Sequence, residues 1–101
     1  MKLDSICHKA ISQYGHELQT LVAVEELGEL GHELLKLLRA RKTDQPFNDW
    51  DKISNEMADV FICFNTLLIM FDNKDQVMDF VDQKADRLLQ RIEAWEKNKN
   101  G

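Results

Sequence analysis

The chain has little of what interrupts helices or builds strands. It contains one proline and four glycines in 101 residues, and aromatic residues make up 8% of it. No stretch alternates apolar and polar residues as a half-buried strand does, whereas the helix formers Leu, Glu, Lys, Gln and Ala are abundant. The sequence therefore predicts an all-α protein. A hydrophobic content of 44% over this length predicts one domain, residues 1–101, with a modest core.

The chain has only two cysteines, and its 18 acidic residues outnumber its 13 lysines and arginines. Cys7 and Cys63 are far apart and lack C-x-x-C spacing, so we expect two free, buried thiols, as in a reducing cytoplasm. The net charge of −5 argues against a nucleic acid polymer as partner. The amino terminus has no apolar signal core, and the longest apolar run, residues 60–71, is interrupted and shorter than a bilayer span. These features predict a cytoplasmic protein with no membrane partner.

Apolar residues recur at steps of three and four along most of the chain, which predicts four helices. Gly15 separates the first two, and a loop with the only proline, Pro46, precedes the third. Asn48 is a candidate N-cap for the third helix, and Asn73 with Gln76 has the spacing of a capping box for the fourth. The second and third are the two long central helices. The helices are predicted from about Leu3 to Tyr14, from His16 to Lys42, from Asn48 to Phe71 and from Asn73 onward.

The second half of the third helix is apolar nearly all the way round. A surface helix of a small monomer does not have that pattern, because one of its sides faces water. Burial on every side in so short a chain predicts an oligomer, either a homodimer or a homotetramer, whose assembly completes the core. Asn65 lies within this apolar run, and a buried amide needs a partner. It either pairs across an interface, which we favour, or reaches the substrate.

Five acids lie in segments whose neighbours are mostly apolar: Glu25, Glu26 and Glu29 in the second helix, and Glu56 and Asp59 in the third. Residues three and four apart share one face of a helix, so each set projects together. If the two helices are antiparallel, as a short loop favours, the two sets approach each other. Carrying carboxylates into a protein interior is costly unless something neutralises them.

The chemistry of these side chains selects the neutralising cation. All of them are oxygen donors, and no Cys or His lies among them at ligand spacing. Oxygen-only ligand sets suit a hard cation such as Mg²⁺ or Mn²⁺ rather than Zn²⁺. The sequence therefore predicts a metal site between two helices.

The spacing of the acids resembles a family signature. The pattern E-E-x-x-E, followed after 26 residues by E-x-x-D, is similar to that of the all-α nucleoside triphosphate pyrophosphohydrolases. That group contains MazG-like proteins, dimeric dUTPases, dCTP pyrophosphatases and phosphoribosyl-ATP pyrophosphohydrolases. Residues 19–30 resemble the first MazG-type motif and residues 55–62 the second, and the resemblance covers roughly residues 14–91.

The resemblance implies a four-helix MazG-like fold and hydrolysis of a ribo- or deoxynucleoside triphosphate to the monophosphate and pyrophosphate, in a nucleotide-pool housekeeping role. Carried over position by position, Glu26, Glu29, Glu56 and Asp59 would bind Mg²⁺, and Glu25 would add a ligand or orient the attacking water. All five acids are therefore expected to be catalytic. Carboxylates alone repel such a substrate, and a bound cation reverses the local charge.

Basic side chains are needed to complete a phosphate site. Lys84, Arg87 and Arg91 lie at i, i+3 and i+7 on one face of the fourth helix, in a region where the family often has a lysine. A solvated surface stripe is the alternative interpretation of these three residues. The amide of Gln19 is the candidate for reading a base edge, although an exposed or capping glutamine fits the pattern equally well. The expected base pocket comprises Leu18, Gln19, Val22 and residues of the first helix.

Other functions remain open at this point. Phosphoribosyl-ATP pyrophosphohydrolase has a similar length and related carboxylate motifs, but the flanking E-E-L-G-E-L fits the MazG group better. A non-catalytic helical oligomer, acting as a binding module, would keep the acids only for metal-stabilised assembly. It would show metal-dependent stability without pyrophosphate release. An acidic helical adaptor without any metal would be indifferent to divalent ions.

Overall fold

In a computed structural model, which describes residues 2–100, the chain folds into four helices, and the described residues form no strand. The helices are α1 (Leu3–Tyr14), α2 (His16–Lys42), α3 (Trp50–Phe71) and α4 (Lys74–Asn100). The all-α prediction is confirmed, and α1 and α2 begin and end where the apolar spacing predicts. Met1 and Gly101, the two ends of the predicted domain, lie outside the described residues.

Gly15 joins α1 to α2 without an intervening loop. Its φ of 85° lies in the left-handed region, which glycine adopts without the steric cost that a Cβ imposes. Its N–H donates to the Ile11 carbonyl at 2.8 Å and so satisfies one carbonyl of the last turn of α1. The direction of α2 relative to α1 is therefore set by this one residue.

The two asparagines predicted as helix caps do not act as caps. Helix α3 begins after Asp49, not after Asn48, and even Asp49 makes no side-chain capping bond. Its carboxylate instead lies 3.0 Å from Lys36 Nζ on α2, and this ion pair takes the side chain away from the end of the helix. Helix α4 does begin after Asn73, as predicted. The Asn73 Oδ1 atom, however, is buried without a hydrogen-bond partner among the described residues, so the predicted capping box with Gln76 is wrong.

Helices α1, α2 and α3 pack against one another around a small core. The buried apolar residues are Cys7 of α1, Ala23 of α2 and Ile53 of α3. Both cysteines are free, as predicted, but only Cys7 is buried, and Cys63 is partly exposed. Asn65 of α3 does not depend on an interface for a partner. Its Nδ2 donates to Asp4 Oδ1 of α1 at 2.8 Å, so the amide connects α1 to α3 within one chain and the predicted pairing across an interface is not needed to satisfy it.

Helix α4 makes no extensive contact with the other three helices. Of its side chains described up to Lys99, all except that of Val77 are exposed. The chain has an accessible surface of 8321 Å², whereas a compact monomer of its mass exposes about 5,900 Å². Its radius of gyration is 18.1 Å, against about 13 Å for a compact domain of this length. A single chain therefore leaves much of its apolar surface uncovered.

Helix α3 is long and apolar enough, by length and composition alone, to cross a membrane. The run of residues 60–71 is by itself shorter than a bilayer span, as the sequence indicates, but it belongs to a helix of 22 residues that is long enough. Core helices of soluble proteins have the same length and composition. Glu56 and Asp59 of α3 are only partly exposed, and α3 is the helix that packs most closely on α2. Acids in such a position are typical of a protein interior or of a functional site.

Asp72, which follows α3, provides a test of the backbone geometry. Its φ of 48° and ψ of 47° are left-handed, a conformation that costs a residue with a Cβ about 1–2 kcal/mol. Asp72→Gly should therefore raise the free energy of unfolding by about 0.5 kcal/mol, measured by urea denaturation at fixed protein concentration. The matched control, Asp51→Gly in the first turn of α3, should lower it by about 0.5–1 kcal/mol. Equal effects at the two positions would contradict the assigned geometry.

Candidate metal centre

Three glutamates from two helices come together where α2 packs on α3. Carboxylate oxygens of Glu26, Glu29 and Glu56 all lie within 4.8 Å of one another. We call these three residues the acidic triad. Two buried residues explain the placement: Ala23 lies three residues before Glu26, and Ile53 three residues before Glu56. Residues three apart share a helix face, so the contact that buries Ala23 and Ile53 also turns the two glutamates toward the interface between the helices.

The acidic triad is electrostatically unfavourable without a cation. Burial raises the pKa of Glu26 to about 7, with further contributions from the charges of Glu29 and Asp59 and from the hydrogen bond that protonated Glu26 donates to Glu56. Burial also raises the pKa of Glu56, followed by the charge of Glu29. As carboxylates, Glu26 and Glu56 each have an Oε2 atom that is closed off from solvent and has no hydrogen-bond partner among the described residues. Such oxygens need either a proton or a cation.

The other two predicted acids border the triad without joining it. Asp59 lies one turn after Glu56 on α3 and lines a cavity together with Glu26. Glu25 is exposed and lines an open depression together with Glu29 and Glu56. The structure thus brings together three of the four predicted metal ligands and places Asp59 beside them, with Glu25 at the solvent-facing side.

The donor set fits a hard divalent cation. It consists of one carboxylate oxygen from each glutamate, and Glu26 and Glu56 each have a buried oxygen without a partner among the described residues. His32 of α2 lines the open depression together with Glu29 and Glu56. Lys36, one turn further along α2, is already engaged: its Nζ lies 3.1 Å from Glu33 Oε2 and 3.0 Å from Asp49 Oδ2. Among the described residues, no ion pair compensates the charge of the triad itself. The arrangement could therefore hold a cation, for which Mg²⁺ or Mn²⁺ stays the prediction.

A cavity of about 210 Å³ adjoins the acids. Glu26 and Asp59 are its acidic residues, and its other polar side chains are Gln19 and Thr66. The Thr66 hydroxyl already donates to the Ile62 carbonyl at 2.9 Å, whereas Gln19 makes no side-chain hydrogen bond to another described residue. The remaining wall is apolar and comprises Ile6, Cys7 and Ala10 of α1, Val22 of α2, and Ile62 and Cys63 of α3.

The cavity matches the expected base pocket in part. Gln19, Val22 and α1 line it as predicted, but Leu18 does not, and its side chain is 44% exposed. The spacing in the sequence did not reveal that the two cysteines form part of the wall, because apolar helical context predicts only that they are buried. Burial raises the pKa of the Cys63 thiol, and the charges of Glu26 and Asp59 raise it further, so this wall stays uncharged.

The predicted phosphate-binding residues do not reach the acidic triad within one chain. Lys84, Arg87 and Arg91 lie on α4, their side chains are exposed, and α4 does not pack on α2 or α3. A single chain therefore presents the acids and the cavity without the basic side chains that a triphosphate site requires.

The raised pKa of Glu26 predicts how the stability of the metal-free protein depends on pH. Protonation of a carboxyl whose folded pKa exceeds its unfolded value of 4.5 stabilises the fold, and this contribution is lost as the pH rises through about 7. Glu26→Gln, which mimics the protonated acid, should match the parent near pH 5 and exceed its melting temperature near pH 8. Millimolar Mg²⁺ should stabilise the parent at about pH 8 more than the variant.

Glu17→Gln, an exposed substitution in the first turn of α2, is the matched control and should shift neither curve. Thermal melts followed by circular dichroism, with and without chelator, measure all three proteins. Parallel pH curves for the parent and Glu26→Gln would show that the Glu26 carboxyl is not desolvated.

Comparison with known proteins does not assign this chain to a family. The chain matches no protein-family model, no curated protein and no solved structure. What the described residues themselves provide is an all-helical fold, an acidic triad between α2 and α3, and an apolar cavity beside it.

Proposed function

We propose that the chain is a Mg²⁺-dependent nucleoside triphosphate pyrophosphohydrolase of the MazG-like, all-α type, for which Mn²⁺ can substitute. It would hydrolyse ribo- or deoxynucleoside triphosphates to the monophosphate and pyrophosphate, as a housekeeping enzyme of the cytoplasmic nucleotide pool. Nucleic acid polymers and membranes are not its partners. The observation that carries the proposal is the acidic triad: one carboxylate oxygen from each glutamate lies within 4.8 Å of the other two. Glu26 and Glu56 each also have a buried oxygen without a partner among the described residues.

The side chains around the triad would have different roles in the reaction. Glu26, Glu29, Glu56 and Asp59 would hold the cation, which when bound supplies positive charge to a triphosphate that the carboxylates alone would repel. Glu25 is exposed at the open depression, where its carboxylate can orient a water molecule and accept a proton from it. That water attacks the α-phosphorus, the bond to the bridging oxygen breaks, and pyrophosphate leaves.

The cavity supplies the second part of a nucleotide site. Its walls are apolar, which suits the faces of a nucleobase, and the Gln19 amide offers one donor and one acceptor for a base edge. Glu26 and Asp59 border both the cavity and the acidic site, so a ligand that fills the cavity has its charged end beside the acids. This adjacency supports a nucleotide as substrate in preference to pyrophosphate or another small anion.

The uncovered apolar surface supports a homodimer or a homotetramer. The chain exposes roughly 2,400 Å² more than a compact monomer of its mass, whereas a standard interface buries about 800 Å² of each partner. Phe61 and Phe64 in the second half of α3 are 65% and 50% exposed in one chain. Assembly of several copies would complete the helical core that a single chain lacks.

A pyrophosphate-release assay across the ribo- and deoxynucleoside triphosphates tests the reaction. Release should require Mg²⁺ or Mn²⁺. Loss of a residue that only supports a metal ligand typically costs about 10–100-fold in activity. Glu29→Gln and Asp59→Asn each remove a charged ligand, so each should lower the rate by more than that. Helix content should be unchanged, since both substitutions preserve volume. Glu17→Gln again serves as control and should retain full activity.

Two results would contradict the proposal in different ways. Metal-dependent stabilisation without pyrophosphate release from any nucleotide would indicate the metal-stabilised binding module instead. Loss of helicity in Glu29→Gln or Asp59→Asn would mean that the acids are structural.

The cavity makes a separate prediction. Ala10 of α1 lines it, so Ala10→Leu adds a branched side chain where the base is proposed to lie. The Michaelis constant should rise at least about tenfold, while stabilisation by Mg²⁺ is retained, because no metal ligand has changed. Ser5→Leu, an exposed position on the same helix, is the control and should leave the Michaelis constant unchanged. Equal effects of the two variants would remove the cavity from the substrate site.

A further inference from the structure

The geometry points to an oxidation-sensitive pair of thiols: Cys7 of α1 and Cys63 of α3 line one cavity, and a hydroperoxide would convert them to a disulfide that joins the two helices. The bond would also close the cavity to a nucleotide. That second consequence rests on the proposed function, whereas formation of the disulfide does not depend on it.

Cys7 and Cys63 are the only cysteines of the chain, and both lie at the same cavity although they belong to different helices. A single buried thiol behaves as a small apolar side chain. Two thiols beside one space have a further property, because they can be joined by a bond. Burial raises the pKa of the Cys63 thiol, and after Glu26 and Asp59 the charge of Cys7 also contributes, so the two sulfur atoms are close enough to interact.

Asn65 holds the Cys7 sulfur against α3. Its amide nitrogen carries more than one N–H group, and Nδ2 donates to Asp4 Oδ1 at 2.8 Å and to Cys7 Sγ at 3.5 Å. Asn65 follows Cys63 by two residues, which corresponds to a rise of about 3 Å along a helix. The Cys7 sulfur therefore lies near the level of Cys63 on α3, and Cys7 is only 1% exposed.

The packing of α1 on α3 is compatible with the span of a disulfide. Packed helices have axes about 8–10 Å apart and Cα atoms about 2.3 Å from each axis, so Cα atoms that face each other are roughly 4–6 Å apart. Disulfides join residues whose Cα atoms are about 4.4–6.8 Å apart. Because both cysteines lie on the helix faces that line the shared cavity, they are placed for such a bond.

Exposure determines which thiol reacts first, since Cys63 is partly exposed and Cys7 is buried. The Cys63 thiolate attacks an oxygen of the hydroperoxide, so that an S–O bond forms, the O–O bond breaks and a sulfenic acid results. The Cys7 sulfur then attacks the Cys63 sulfur, an S–S bond replaces the S–O bond, and hydroxide leaves as water with the Cys7 proton. With hydrogen peroxide as oxidant, both thiols lose their hydrogen atoms and the peroxide is reduced to two water molecules.

The disulfide would change both the cavity and the stability of the fold. It draws a sulfur atom from the α1 wall and one from the α3 wall together, where the base of a nucleotide is proposed to lie. The cross-link also encloses more than half of the chain and restricts the unfolded state. Oxidation should therefore raise the melting temperature by about 8 °C or more.

Thiol counting after treatment with hydrogen peroxide at about pH 8.5 tests the bond. In denaturant the parent should change from two titratable thiols to none, with an intact mass lower by two hydrogen atoms, and dithiothreitol should reverse both changes. Cys63→Ser should keep its buried thiol and its melting temperature, and Cys7→Ser should stop at a sulfenic acid that dimedone traps. A parent that keeps both thiols, or that is cross-linked between copies on a non-reducing gel, would overturn the pair.

Pyrophosphate release tests the closure of the cavity. The residual activity of the treated parent should equal the fraction of chains whose thiols are still free, and dithiothreitol should restore the rest. Cys63→Ser should have the same activity with and without peroxide, so that oxidation of other side chains is controlled. A disulfide that leaves the rate and the Michaelis constant unchanged would overturn the closure. If the reduced parent hydrolyses no nucleotide, the proposed reaction fails, and the thiol count still decides the disulfide.

Discussion

The packing of α2 on α3 depends on placing several carboxylates where water cannot fully solvate them. Ala23 and Ile53 are buried one turn from Glu26 and Glu56, so apolar contact and acidic contact occupy the same face of each helix. Apolar burial stabilises this arrangement, and the desolvated acids oppose it by raising the pKa of Glu26 to about 7. A bound cation would relieve the conflict, and under the proposed function the same residues would determine both stability and activity.

Local rules in the sequence predicted most of the fold. Apolar residues at steps of three and four gave α1 and α2 their bounds, since helix periodicity depends only on neighbours within the helix. The errors involve tertiary partners. Asn48 was a plausible cap, but the chain uses the next residue and engages Asp49 with Lys36 instead. Asn65 pairs with Asp4, a residue 61 positions away, and no local pattern indicates such a bond.

The sequence predicted the candidate site, like the fold, only in part. The spacing of Glu26, Glu29 and Glu56 along the sequence predicted that they come together, because two helix faces and one short loop determine where these side chains meet. The cavity was found only partly, because its walls come from three helices and no sequence spacing relates α1 to α3. The position of Lys84, Arg87 and Arg91 relative to the acids was beyond the sequence altogether, since it depends on what packs against α4.

Gly15 has a mechanical consequence for ligand entry. One wall of the cavity is α1 and another is α2, and a single residue with φ of 85° connects them. Rotation about the backbone dihedral angles of that residue swings α1 as a rigid rod while both helices keep their internal hydrogen bonds. The 2.8 Å bond between Asn65 and Asp4 acts near the far end of the rod, where a small rotation produces the largest displacement. The burial of Cys7 and the hydrogen bond between Asn65 and Asp4 oppose that rotation, so both have to be lost before α1 moves and the cavity widens.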